Sequence, residues 1–306
     1  MRALLAALLI VAAVPASAQP GTVVVVGGAL KDDNAAVFGA MIAAMPADAP
    51  DVVVIPAASG FAGSAAERFA DALALYGVDR SRVALVQVAM VDDPETSGVD
   101  ESGWHAGASD ARQIARVARA GLIWFAGGDQ ARIIATLVQA DGSDTPMLAI
   151  IRKRLADGAV VGGTSAGAAI MGEHMIGCGS AVTALVTPVS SNLADCAASD
   201  EASDSVPLVL SSGLAFLPDI VFDQHFSERG RLTRLVRAVA CIDDGAITGI
   251  GVDEDTAFVF DLAGETGDAV GRGTITMVDP ADRQTRCAGA VMDNVRLARI
   301  AGKGQD

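Results

Sequence analysis

Five short apolar runs, at residues 22–26, 52–55, 83–88, 121–125 and 159–161, constrain the fold more than any other feature of the chain. Helical patterns at 34–44, 65–76, 110–119, 130–139 and 147–157 separate them. Strands alternating with helices at this spacing predict βαβ units around a parallel sheet, an α/β fold. Phe, Trp and Tyr make up 4% of the residues, and Ala, Val, Ile, Leu and Gly dominate, as suits helices packed on buried strands. After residue 207 the spacing predicts strand-like runs at 214–222, 247–252 and 256–260, a helix at 228–240, and further β structure from Gly264 onward. Residues 177–207 have neither period and read as an excursion from the core.

Residues 1–18 carry Arg2, an apolar run from Ala3 to Val14, and small residues up to Ala18. This is the pattern of a secretory signal, too short for a membrane span, leaving residues 19–306 as a single domain. The expected location is secreted or periplasmic, with no membrane association after cleavage. The net charge of −15 disfavours nucleic acid and anionic surfaces as partners and makes a local cluster of arginines conspicuous. Four cysteines, at 178, 196, 241 and 287, show no metal-ligand spacing, and an even count in an oxidising compartment suggests disulfides. Cys178 with Cys196, which bracket a polar segment, is the first pairing expected.

Gly163-Thr164-Ser165-Ala166-Gly167 fits G-x-S-x-G between an apolar strand and an apolar helix, the context of a nucleophile elbow. A serine hydroxyl is a weak nucleophile and needs a base within hydrogen-bond reach, itself oriented by a third group. Of the three histidines, His174 is expected down the helix after Ser165 and His105 in an irregular loop at 92–110. His225 falls between a strand-like run and a helix, and is the candidate base. An acid between Ser165 and His225 would give the order of α/β-hydrolases. An acid after His225 fits the strands better, and of Asp253, Glu254 and Asp255 the reading selects Glu254. Arg229, Arg231 and Arg234 follow the base, and Arg231 and Arg234 are expected to share a helix face and to bind substrate carboxylates. No metal or organic cofactor is expected. Gly27-Gly28 after the first strand lacks the G-x-G-x-x-G spacing of a dinucleotide site.

Taken together, Phe125-Ala126-Gly127-Gly128-Asp129-Gln130, the serine motif, Asp223-Gln224-His225-Phe226 with its three arginines, and the segment from Gly249 to Ala257 resemble the cyanophycinases of serine peptidase family S51. The motifs span about residues 22–262. The resemblance implies a flavodoxin-like, three-layer α/β/α fold with a mostly parallel sheet, like that of class I glutamine amidotransferases, usually as a homodimer. It implies Ser165, His225 and Glu254 as the triad, and the Gly128 and Ala166 amides as the oxyanion hole. Asp129, Gln130, Asp223, Gln224, Arg229, Arg231 and Arg234 fall where the family shapes its substrate pocket. The substrate implied is cyanophycin, a polyaspartate with arginine on each side-chain carboxyl, cut to β-Asp-Arg dipeptides. The cysteine-containing excursion and the signal depart from that pattern. They leave open a secreted exopeptidase acting on short Asp-containing peptides, and, as a different class, a non-catalytic binding protein.

Overall fold

The computed structural model describes residues 19–196, 206–242, 247–280, 287 and 295–304, so the signal-like segment 1–18 lies outside the described residues. In chain order the first half is β1 (Thr22–Val26), α1 (Ala35–Ala44), β2 (Asp51–Ile55), α2 (Ala62–Ala74), β3 (Val83–Leu85), α3 (Ala111–Val117), β4 (Ala120–Phe125), α4 (Gln130–Leu137), α5 (Pro146–Ala156) and β5 (Val160–Thr164). The second half is α6 (Ala166–Ala169), β6 (Gly172–Cys178), α7 (Thr183–Val186), β7 (Val209–Ser212), β8 (Leu217–Asp223), α8 (Leu232–Cys241), β9 (Thr248–Val252), β10 (Thr256–Asp261), β11 (Thr266–Gly271), β12 (Thr274–Pro280) and β13 (Val295–Ala301).

Seven strands form the first sheet in the order β11-β10-β1-β5-β4-β2-β3. β1 through β5 pair in parallel, and β10 and β11 add an antiparallel edge. β1, β2, β4 and β5 are buried on both faces, to which their successive residues point in turn. Val24, Val26, Val52, Val54, Leu122 and Trp124 meet α1 and α2. Val23, Val25, Val53, Ile55, Ile123 and Phe125 meet α4 and α5. This is the α/β architecture with a mostly parallel sheet that the alternation predicted.

A second sheet, order β13-β12-β9-β8-β6-β7, was not foreseen as a separate layer. Met175, Phe222 and Ile250 on one of its faces join the main core, and Ile176 and Val221 on the other pack with Leu235, Ala238 and Val239 of α8. The helix after Ser165 is also shorter than expected. It lasts four residues, and the chain turns at Gly172, where a β-carbon would meet the Ile220 carbonyl at 2.2 Å, into β6. His174 therefore lies on a strand.

The excursion is tied at its base. Cys178, the last residue of β6, is bonded to Cys196 across a separation of 18 residues, and Cys241 at the end of α8 is bonded to Cys287. Among the described residues no helix is long and apolar enough to cross a membrane. Replacing Cys178 and Cys196 together by alanine is expected to cost about 3 kcal/mol, the loop-closure value for a ring of this length. Urea unfolding of the two proteins measures it, and an unchanged midpoint would mean that the excursion is held by packing alone.

Candidate active site

Strands β1, β4 and β5 end side by side, and the carboxyl ends of parallel strands are where α/β folds place their sites. Ser165 stands between β5 and α6 with φ 53° and ψ −113°, a left-handed backbone that a serine adopts only under tertiary constraint. That conformation lifts the hydroxyl out of the strand line. The Ser165 Oγ lies 2.9 Å from Nε2 of His225, and Nδ1 of His225 lies 2.6 Å from Oε1 of Glu254. An ionised carboxylate only accepts, so Nδ1 carries the proton and Nε2 is left to accept from the serine hydroxyl.

What brings the three loops together is the end of β1. Three consecutive carbonyls there, of Val26, Gly27 and Gly28, accept the backbone N–H groups of Ser165 at 3.1 Å, His225 at 2.6 Å and Asp255 at 2.8 Å. Each member of the Ser-His-Glu set is thus fixed, at its own backbone or one residue away, to one short segment. Gly28, at φ +116°, lies flat against the His225 ring, and a β-carbon there would stand 2.2 Å from Cε1. Gly27-Gly28 carries no nucleotide-binding motif. The signal in it was a glycine pair at the end of a strand, which marks close approach by another group.

The three consecutive acids diverge. Glu254 turns to His225, and its own N–H donates to Glu228 Oε2 at 3.1 Å. Asp255 accepts from the Lys31 amide and from the Asn34 side chain, locking the start of α1. Asp253 faces the other way, accepting from the Ser227 amide and from Thr274. Burial would raise the Asp253 carboxyl, but the hydrogen bonds from Ser227 and Thr274 outweigh it and hold it below the ordinary carboxylate range.

Burial is also the main influence on His225, which is 8% exposed. Together with Arg229 and Arg231 it outweighs Glu254 and lowers the imidazole below its ordinary value. The neutral ring that can take a proton therefore persists to lower pH than in a free histidine.

Gly127 packs on Ser165, since a β-carbon there would lie 3.2 Å from Ser165 Cβ. Gly128, the next residue, has φ +139° and sits where a β-carbon would strike the Ala58 carbonyl. Ala166 opens α6 directly after the serine. Gly127, after β4, and Ala166, at the start of α6, thus adjoin Ser165.

Of the other sequence candidates, Asp129 caps α4, accepting from Ala131 N at 2.9 Å. Gln130 is 2% exposed and donates to the Ile176 and Gly177 carbonyls, joining α4 to the root of the excursion. His105 is exposed on a 3-10 segment, Glu101–Ser109, inside the stretch expected to be irregular.

The arginines differ from expectation in placement. Gly230, at φ +60°, breaks the chain before α8, so Arg231 lies at the cap and not within the helix. Arg231 donates to the Gln224 carbonyl at 2.7 Å and to the Gln224 side chain. Arg234 grips Asp223 through Nε at 3.0 Å and Nη2 at 2.5 Å, and donates to the Gly179 carbonyl at 2.6 Å. Both partners are buried, so the fork proposed for a substrate carboxylate is engaged by an internal one. Arg229 alone of the three is exposed. Among the described residues, no group of three His, Cys, Asp or Glu is placed to hold a metal ion.

Residues 23–265 match the profile of peptidase family S51, and the chain belongs to that family. Cyanophycinases of Synechococcus elongatus and Thermosynechococcus vestitus are each 38% identical to it over 181 residues, 59% of this chain and 48% of theirs. The cyanophycinase of Trichormus variabilis is 38% identical over 161 residues, 52% of this chain and 45% of its own. The chain spans about half the length of the curated relatives it matches. A crystal structure of a peptidase from an acI-B1 Actinobacterium superposes with a TM-score of 0.60 at 16% identity, covering 94% of this chain and 96% of that one, a likeness of fold.

Two outcomes are expected from this geometry. Labelling of Ser165 by a small neutral serine-reactive probe should keep its rate as pH falls through 6.5, the ordinary histidine value, and decline only below it. A rate already halved at or above pH 6.5 would contradict a buried, neutral base. Arg234→Gln should cost stability by about 3–5 kcal/mol, because it leaves the Asp223 charge buried without its fork. Thermal and urea unfolding would expose a mistaken assignment if the loss stayed below 1 kcal/mol.

Proposed function

We propose that the chain is a secreted serine peptidase that hydrolyses cyanophycin to β-Asp-Arg dipeptides through an acyl-enzyme. The observation that carries the reading is the hydrogen-bonded line Ser165–His225–Glu254, joined to a strained serine turn at the carboxyl end of a parallel sheet. Family membership and the names of the relatives support the substrate class. The signal-like residues 1–18 and two disulfides support an oxidising, extracytoplasmic location. The resemblance supports a homodimer.

In this reading Ser165 Oγ attacks the carbonyl carbon of the scissile peptide as His225 Nε2 takes the hydroxyl proton. The negative oxygen of the tetrahedral intermediate is held by the amides of Gly128 and Ala166. His225 returns the proton to the leaving amine, the C–N bond breaks, and an ester on Ser165 remains. Water, deprotonated by the same imidazole, cleaves that ester and restores the hydroxyl. Glu254 keeps the ring in the required tautomer and stabilises its transient charge. Arg229, exposed at the surface, would meet a substrate carboxylate directly. Arg231 and Arg234 shape the same wall by fixing Gln224 and Asp223.

One observation favours a second reading, an exopeptidase on short Asp-containing peptides. The excursion is rooted at this wall, through Gly177 to Gln130 and Gly179 to Arg234, and fastened by Cys178–Cys196. A roof fixed there would admit a short peptide more easily than a polymer.

Ser165→Ala should lower hydrolysis by about 10⁴-fold or more with the fold intact, and adding His225→Ala should lower it little further. Assaying the mature protein on purified cyanophycin and on Asp-containing dipeptides separates the readings. Release of β-Asp-Arg from polymer supports the first, cleavage of dipeptides alone supports the second, and activity on neither, with Ser165 unlabelled by probes, rejects both.

A further inference from the structure

The loop that carries His225 is packed on the side of β1 and at Phe226, which is 3% exposed among Leu235 and Ala238. Past Phe226 an open cleft of about 320 Å³ follows, lined by Ser227, Gly230, Leu232, Leu297 and Arg299 among others. On that side polar contacts, and not close packing, hold the loop.

The polar contacts that cross this gap converge on Ser227, two residues past the base. Its amide donates to Asp253 Oδ1 at 3.0 Å. The other oxygen of Asp253 accepts from the Thr274 amide at 2.9 Å and the Thr274 hydroxyl at 2.5 Å. Arg299, on β13, closes the circuit. Its Nε donates to the Thr274 hydroxyl at 2.8 Å, one terminal nitrogen donates to the Ser227 hydroxyl at 3.1 Å, and the same nitrogen lies 3.7 Å from Asp253. Asp253 is 3% exposed, and its depressed carboxyl keeps it a charged acceptor across the working pH range.

We propose that Asp253 and Arg299 are positioning residues for the reaction, fastening the His225 loop at Ser227 to the β12–β13 hairpin. The inference rests on the serine-peptidase reading above. Ser227 and Asp253 lie within residues 23–265, which match the family profile, and Thr274 and Arg299 lie beyond them. The hairpin is anchored independently, because Cys287 in its connection is bonded to Cys241 at the end of α8, the helix that follows the base loop. Base loop, helix, disulfide, hairpin and Arg299 make a closed ring returning to Ser227.

Asp253 is the hub and Arg299 the outer arm. The arm is the better variant to test, since its side chain is 62% exposed and its loss should be tolerated by the fold. Hydrolysis of a small neutral ester, which offers no carboxylate to an arginine, separates positioning from substrate binding. For Arg299→Ala, kcat should fall about tenfold with KM unchanged, because misplacing a base by a fraction of an ångström weakens the proton transfer and not the binding. Arg299→Lys should recover part of it. Ser227→Ala should cost less and should be non-additive with Arg299→Ala. Melting temperatures of the variants identify any that fail to fold. A folded Arg299→Ala protein with kcat within twofold of the parent, or additive losses in the double variant, overturns the brace while leaving the peptidase reading intact. A parent protein that neither turns over the ester nor labels at Ser165 overturns both.

Discussion

Everything in the site hangs on the last residue of one strand and the two glycines that follow it. The carbonyls of Val26, Gly27 and Gly28 receive the amides of Ser165, His225 and Asp255, so three loops that are far apart in sequence share one backbone reference. Backbone hydrogen bonds are short and directional, and a buried amide that loses its partner costs free energy. The absence of side chains at Gly27 and Gly28 lets the loops come this close. At Gly27 a β-carbon would collide with the Asp253 carbonyl at 2.1 Å, and at Gly28 with the imidazole itself. β1 is the natural place for the reference, because β5 on one side delivers the serine and β10 on the other begins just after the acid.

Around that reference, charge is distributed by burial. Asp223 and Arg234 neutralise each other inside the wall behind the base, where an unpaired charge would be costly. Arg229 stays at the surface. The acidic turn at 253–255 is divided among three tasks, namely holding Ser227, orienting His225 and locking α1. Its like charges are spread apart as a result, each carboxylate aimed at its own set of donors.

Much of the fold was legible in the sequence because its signals are local. The runs at 22–26 and 121–125 are strands since their alternate residues must meet helices on both faces, and Asn34 and Thr145 mark helix starts by accepting from the first turn. The serine turn was legible because a strained backbone needs small neighbours. The second sheet was not, since the pairing of β6 with β8 and of β9 with β12 joins distant segments whose runs look alike on their own. The internal use of Arg234 was hidden for a related reason. Two forks at i and i+3 look the same in a sequence whether a ligand or a buried carboxylate receives them. Arg299 gave no local signal, because its partners lie 25 and 72 residues away in the chain.

The dependence of the site on β1 also fixes when it can exist. The first residue of the reference is made early, and its last partner, Asp255, only after most of the chain. Contacts of such separation are closed late in folding, once loop entropy has been overcome. At ordinary rates of synthesis of about 5–20 residues per second, the nascent chain spends roughly 4–18 s between making Ser165 and making Glu254. The Ser-His-Glu line built on this reference therefore stays incomplete through most of elongation and closes only when residues 254 and 255 return to the end of β1.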